Sequence, residues 1–184
     1  MTSSQAPHSK DKKASGLKLT NKQIALYGVL IGLALVFGYV EAMIPLPFTV
    51  PGVKLGLGNI VVLLSMLSLG AAPAFFIMCI KVLATSFLFG NPSIFIYSLV
   101  GALLAYIAML LLIKFTKISI ISVSVVGAIC HNLGQLIVVG IVFNYLVVLS
   151  ALPILLVSGL ITGLITGQIC LMALRAFPDK EEEV

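Results

Sequence analysis

Pro51–Gly90, PGVKLGLGNIVVLLSMLSLGAAPAFFIMCIKVLATSFLFG, is the stretch on which the fold class turns. It places Lys54 at the border of one apolar run and Lys81 in the middle of another. A cation at the centre of a bilayer costs about 2.5–3.5 kcal/mol on insertion scales, so such a residue faces a protein interior or a wet cavity. Lys81 is therefore the first candidate functional residue.

The composition around that stretch agrees with a membrane chain. Of 184 residues, 60% are apolar and only 9% charged, and the mean hydropathy is +1.21, which excludes an ordinary soluble domain. A helix needs about 20 apolar residues to cross a hydrocarbon core of about 30 Å. The runs here reach that length and lack the alternation of an outer-membrane barrel strand, so an all-α integral membrane protein is expected. The net charge of +5 does not point to nucleic acid, because five of the eleven basic residues, Lys10, Lys12, Lys13, Lys18 and Lys22, precede the first apolar run. They read as a topology signal.

Six spans are expected. The first covers about residues 24–44 and carries two small-xxx-small pairs, Gly28/Gly32 and Ala34/Gly38, which allow close helix approach either within the bundle or to a partner subunit. Three prolines, Pro45, Pro47 and Pro51, make residues 44–52 an extended or re-entrant segment, a lid or a plain connection. The second span, about 55–69, is short and opens with GLGN. The third covers about 74–89, the fourth about 94–113, the fifth about 118–143 and the sixth about 152–174. The sixth repeats Gly159, Gly163 and Gly167 every four residues, a ridge suited to direct contact with another helix. Residues 1–20 are expected to form a disordered basic tail, 21–176 the membrane domain and 177–184 an acidic tail. Cys79, Cys130 and Cys170 all fall in apolar runs without CxxC spacing and read as packing residues.

Six spans put both termini on one side. Nine of the eleven Lys and Arg lie in the tails and around Lys114 and Lys117, so that side is cytoplasmic. Glu41, Lys54 and Asn59 then fall towards the outer face, with Lys81, His131, Asn132 and Gln135 nearer mid-depth. Gathered in one bundle, these seven would line a pocket for a small polar ligand. One cation and several amides suit an anionic or carbonyl-bearing group, while the surrounding Phe and Leu accept its apolar part. Plain structural roles stand beside this: Glu41 paired with a lysine, and Asn132 and Gln135 as interhelical hydrogen bonds. A single His with no second ligand nearby is poor material for a metal site. No catalytic constellation is visible. Asp11 and Asp179, the two aspartates, lie in the tails, so no aspartate pair can hold Mg²⁺ and a diphosphate, and no Walker A motif is present. The chemistry on offer is binding.

YVEAMIPLPFTVPGVKLGLGNIVVLL, the Lys81 helix, FLFGNPSIFIYSLVGALLA and GAICHNLGQLIVVG resemble the Gx transporter family, also catalogued as heptaprenyl diphosphate synthase component I. The resemblance covers about residues 24–172, with GVKLGLGN and HNLGQ its most specific parts. That family is similar to the S components of energy-coupling-factor transporters. These six-helix bacterial cytoplasmic-membrane proteins capture micronutrients from outside and pass them inward with a transmembrane partner and two ATPases. The resemblance implies that Gly28, Gly32, Ala34 and Gly38 form a docking face and that residues 41–54 gate the pocket. S components carry an alanine-xxx-alanine pattern on the first helix; here glycines take several of those places. The family's other name implies a role beside heptaprenyl diphosphate and menaquinone synthesis. Its association with flavin-based extracellular electron transfer implies a flavinylated or quinone-linked partner, with a flavin or quinone as ligand.

Overall fold

The computed structural model describes residues 20–44, 54, 56–89, 92–142 and 145–176. Six helices follow one another, and the described residues contain no strand: α1 (Asn21–Met43), α2 (Asn59–Leu69), α3 (Ala71–Phe89), α4 (Pro92–Phe115), α5 (Ile120–Val142) and α6 (Tyr145–Arg175). Five of them are long and apolar enough to cross a membrane. The chain is a multi-pass helical membrane bundle. Of the expected tail 1–20 only Thr20 is described, as the N-cap of α1, and of the proline-rich segment 44–52 only Ile44, as its C-cap; the rest of both and the tail 177–184 lie outside the described residues.

Several boundaries differ from the sequence expectation, each for a local reason. α1 starts early because Thr20 and Gln23 form a capping box, Gln23 Oε1 accepting the Thr20 N–H at 3.0 Å. α2 keeps only 11 residues, about 16 Å at 1.5 Å per residue, so it cannot cross the hydrocarbon core by itself. Its predicted first turn is consumed by a non-helical entry at Gly56–Gly58. α3 starts at Ala71, with Pro73 in the first turn, where its missing N–H leaves no helical bond unmade. α6 begins at Tyr145 and runs through Pro153, which removes the helical donor for the Leu149 carbonyl.

α2 is the centre of the bundle. Asn59, Ile60, Val61, Val62, Leu63, Ser65 and Met66 are all buried, the pattern of a helix apolar on every side. α1 shows the opposite character: Leu30, Ala34, Gly38 and Glu41 form one inward stripe, while Val29, Val36 and Val40 face outward. The main core joins Leu30 and Ala34 of α1, Ile60–Leu63 of α2, Ile77 and Met78 of α3, Met109 of α4, Val123 of α5 and Cys170 of α6. Tyr106 on α4 donates its hydroxyl hydrogen to the Ala71 carbonyl at 2.8 Å and fixes the start of α3.

α4, α5 and α6 pack through glycine. A Cβ on Gly163 would lie 2.5 Å from the Val125 Cα, and one on Gly167 would lie 2.8 Å from the Ile121 Cα. The α6 ridge therefore rests on the α5 backbone, as its spacing predicts. Ser124 and Thr166 add a hydroxyl–hydroxyl bond of 2.9 Å across the same interface. On the other side of α5, Gly134 meets Gly101 of α4, with 2.8 Å between a Cβ there and the Gly101 Cα.

Candidate functional site

The entry turn of α2 organises the polar interior. Gly56 has φ +84°, a left-handed conformation in which a Cβ is strained, and this turns the chain into the helix. The Asn59 N–H then bonds the Gly56 carbonyl at 2.9 Å. Glu41, on α1 and only 6% exposed, accepts the Gly56 N–H and, at 3.2 Å, the Leu57 N–H through the same Oε1. α2 has no acidic residue in its own first turn, so the carboxylate beside its positive end comes from α1.

Gly58 makes room for Lys81. A Cβ there would overlap Cε and Nζ of Lys81, which is 5% exposed, so the ammonium of α3 lies directly against the start of α2. Glu41 attracts both Lys81 and Lys54 electrostatically, and the two lysines repel one another. Burial pulls the half-buried Lys54 ammonium below the usual lysine range, with Glu41 pulling the other way. On the other flank, a Cβ on Gly56 would be 3.1 Å from both Asn59 Nδ2 and His131 Cδ2. The glycines of GLGN thus serve two needs, a backbone conformation at Gly56 and space at both.

α5 contributes His131 and Gln135 to the same region. The Lys54 N–H donates to Gln135 Oε1 at 3.2 Å, and Gln135 Nε2 lies 3.3 Å from His131 Nε2. Because the amide oxygen is taken by Lys54, the amide nitrogen faces the ring as donor. His131 Nε2 then accepts, and the ring proton sits on Nδ1. Nδ1 faces Gly101 of α4 without a hydrogen bond of standard geometry.

Asn132 is turned elsewhere. Its Nδ2 donates to the Leu155 carbonyl at 2.7 Å and to Ser158 Oγ at 3.4 Å, both on α6, where Gly159 leaves room for it. Of the seven residues expected at one pocket, the fold brings Glu41, Lys54, Asn59, Lys81, His131 and Gln135 together and sets Asn132 between α5 and α6. The four small residues of α1 also separate. Gly28 and Gly32 are exposed with nothing within 4 Å of an added Cβ, whereas Ala34 is buried and a Cβ on Gly38 would overlap Thr85 Cγ2. Ser86 and Ser98, two buried hydroxyls without partners among the described residues, escaped the sequence expectation; their signal was a serine inside an apolar run.

A family model described as heptaprenyl diphosphate synthase component I matches residues 30–172. The chain belongs to this family. No curated protein and no solved structure matches it. The component I match takes in the inward stripe of α1, all of α2 to α5 and α6 as far as Met172, and so contains every polar residue of the α2 entry. Gly28, on the outward side of α1, lies before it.

Proposed function

We propose that this component I protein is a substrate-capture subunit of a bacterial cytoplasmic membrane. In this role it resembles an S component: it binds a small micronutrient or cofactor precursor from the outer side at the α2 entry and works with an energy-coupling transmembrane subunit and ATPases. The observation that carries the proposal is the Lys81 ammonium, buried against Gly58 at the start of α2, together with an Asn59 amide nitrogen against Gly56 of the same turn that has no partner among the described residues. A buried cation and an unpaired donor are expensive in a membrane interior unless a ligand uses them. Gln135, steadied by His131, would hold Lys54 near the ligand, and the exposed Gly28/Gly32 side of α1 would receive the coupling subunit. Native mass spectrometry of protein purified gently from its own membranes tests this. A bound small molecule lost in Lys81→Ala and His131→Ala supports it, and binding unchanged in both variants removes the site.

The family description favours a second role, a membrane component beside heptaprenyl diphosphate synthesis. Reconstituting the chain with the soluble synthase in vesicles tests it: a change in product length or rate supports this role, and an unchanged product profile excludes it.

A further inference from the structure

The charge inventory around α2 is unequal. Between residues 23 and 113 the chain has two ammonium groups, Lys54 and Lys81, and one carboxylate, Glu41. The remaining carboxylates, Asp11, Asp179, Glu181, Glu182 and Glu183, are all in the tails. With both lysines protonated, one positive charge is left over around the α2 entry, and the amide dipoles at the start of α2 add to it. Glu41 is engaged through Oε1 by the Gly56 and Leu57 N–H groups. Two donors stand against this turn, Lys81 Nζ at Gly58 and Asn59 Nδ2 at Gly56, the latter unpartnered among the described residues on a side chain 6% exposed. Two further acceptors facing the cluster are in use, Gln135 Oε1 by the Lys54 N–H and His131 Nε2 by the Gln135 amide.

A region with surplus positive charge and a buried donor unpartnered among the described residues favours a ligand that brings acceptors and a negative charge. We propose that the α2 entry is an oxyanion site, in which Lys81 and Asn59 take a carboxylate or phosphate group carrying a single negative charge. The site rests on the capture role and specifies its ligand class: a solute with an oxyanion head. A neutral amide or alcohol of the same shape would leave the surplus charge uncompensated. A cation would increase it.

Full-length protein in a nonionic detergent, titrated at constant ionic strength with benzoate, inorganic phosphate or the neutral isostere benzamide, tests the proposal through its thermal unfolding midpoint. Benzoate or phosphate raises the midpoint and benzamide does not. Lys81→Met raises the half-saturating concentration at least tenfold, Lys81→Arg changes it less than about threefold, and Lys114→Met, at the far end of α4, leaves it unchanged. A second arm adds phosphatidylglycerol or phosphatidylcholine. If phosphatidylglycerol alone reproduces the shift and competes with benzoate, the oxyanion is a lipid headgroup; if it does not, it is a free solute. Equal shifts with benzamide and benzoate, no shift with either anion, or an unchanged half-saturation in Lys81→Met would overturn the proposal. Should Lys81→Met fail to fold, Asn59→Ala is read by the same criterion. An anion-dependent shift without any captured solute in native mass spectra leaves the oxyanion site standing and removes the capture role. A captured neutral solute that no anion displaces does the reverse.

Discussion

Replacing Glu41 separates two things that its carboxylate does. It accepts two backbone N–H groups at the entry of α2, and it is the only carboxylate among the described residues, set near Lys54 and Lys81. Glu41→Ala removes both. The Gly56 N–H is buried and pays the desolvation penalty of an unmade bond, about 1–3 kcal/mol, while the part-buried Leu57 N–H recovers some of its loss from water. Adding the loss of the counter-charge, the expected destabilisation is about 2–4 kcal/mol. Glu41→Gln keeps an acceptor in place but turns two charge-assisted bonds into neutral ones, at about 1–2 kcal/mol in total. Stability should therefore fall in the order wild type, Gln, Ala, measured by reversible denaturant unfolding in mixed micelles. The same substitution in a Lys81→Met background isolates the charge part: Glu41→Gln should cost less there, because no buried ammonium remains to be compensated. Equal costs for Gln and Ala would refute the role of the two N–H bonds. Costs in the two backgrounds that agree within about 0.3 kcal/mol would refute the charge coupling.

Gly163→Ala forces a Cβ against the Val125 backbone and should destabilise by about 1–3 kcal/mol in the same unfolding assay. Gly28→Ala meets nothing and should be neutral or stabilising by up to about 1 kcal/mol, while weakening co-purification of a coupling subunit if α1 docks there. Asn132→Leu breaks the α5–α6 bond to the Leu155 carbonyl, costing about 0.6–1.7 kcal/mol, but leaves benzoate half-saturation unchanged because the amide faces away from Lys81. Lys54 binds its proton less tightly folded than unfolded, so between its folded value and 10.5 the unfolded chain holds more protons and stability rises with pH. Stability measured from pH 7 to 10.5 should rise in wild type relative to Lys54→Met; parallel curves would refute it.

Much of the architecture is legible in the chain because its solvent allows few alternatives. In a bilayer every backbone polar group must be satisfied within the segment, so long apolar runs become helices wherever they occur. The α6 ridge was equally legible, since glycines at intervals of four must share a face whatever lies opposite. The length of α2 was not. Its apolar run begins at residue 55, but the first turn is replaced by a left-handed Gly56 held by a carboxylate 15 positions earlier, and no local pattern announces that bond.

The sequence by itself determined that this is a helical membrane protein, that residues 23–113 hold two cations and a single carboxylate, and that polar groups sit on α2, α3 and α5. Those are matters of composition and period. Only the tertiary structure decided which of them meet. His131 and Gln135 share a face of α5 that looks towards Lys54, whereas Asn132, about 100° round the same helix, bonds α6 instead. Gly28 and Gly32 were left open and Gly38 closed by the rotation of α1 against Thr85. The physical reason is that helical period fixes the angles between residues on one helix, while the rotation of each helix against its neighbours is set by where small side chains let backbones approach.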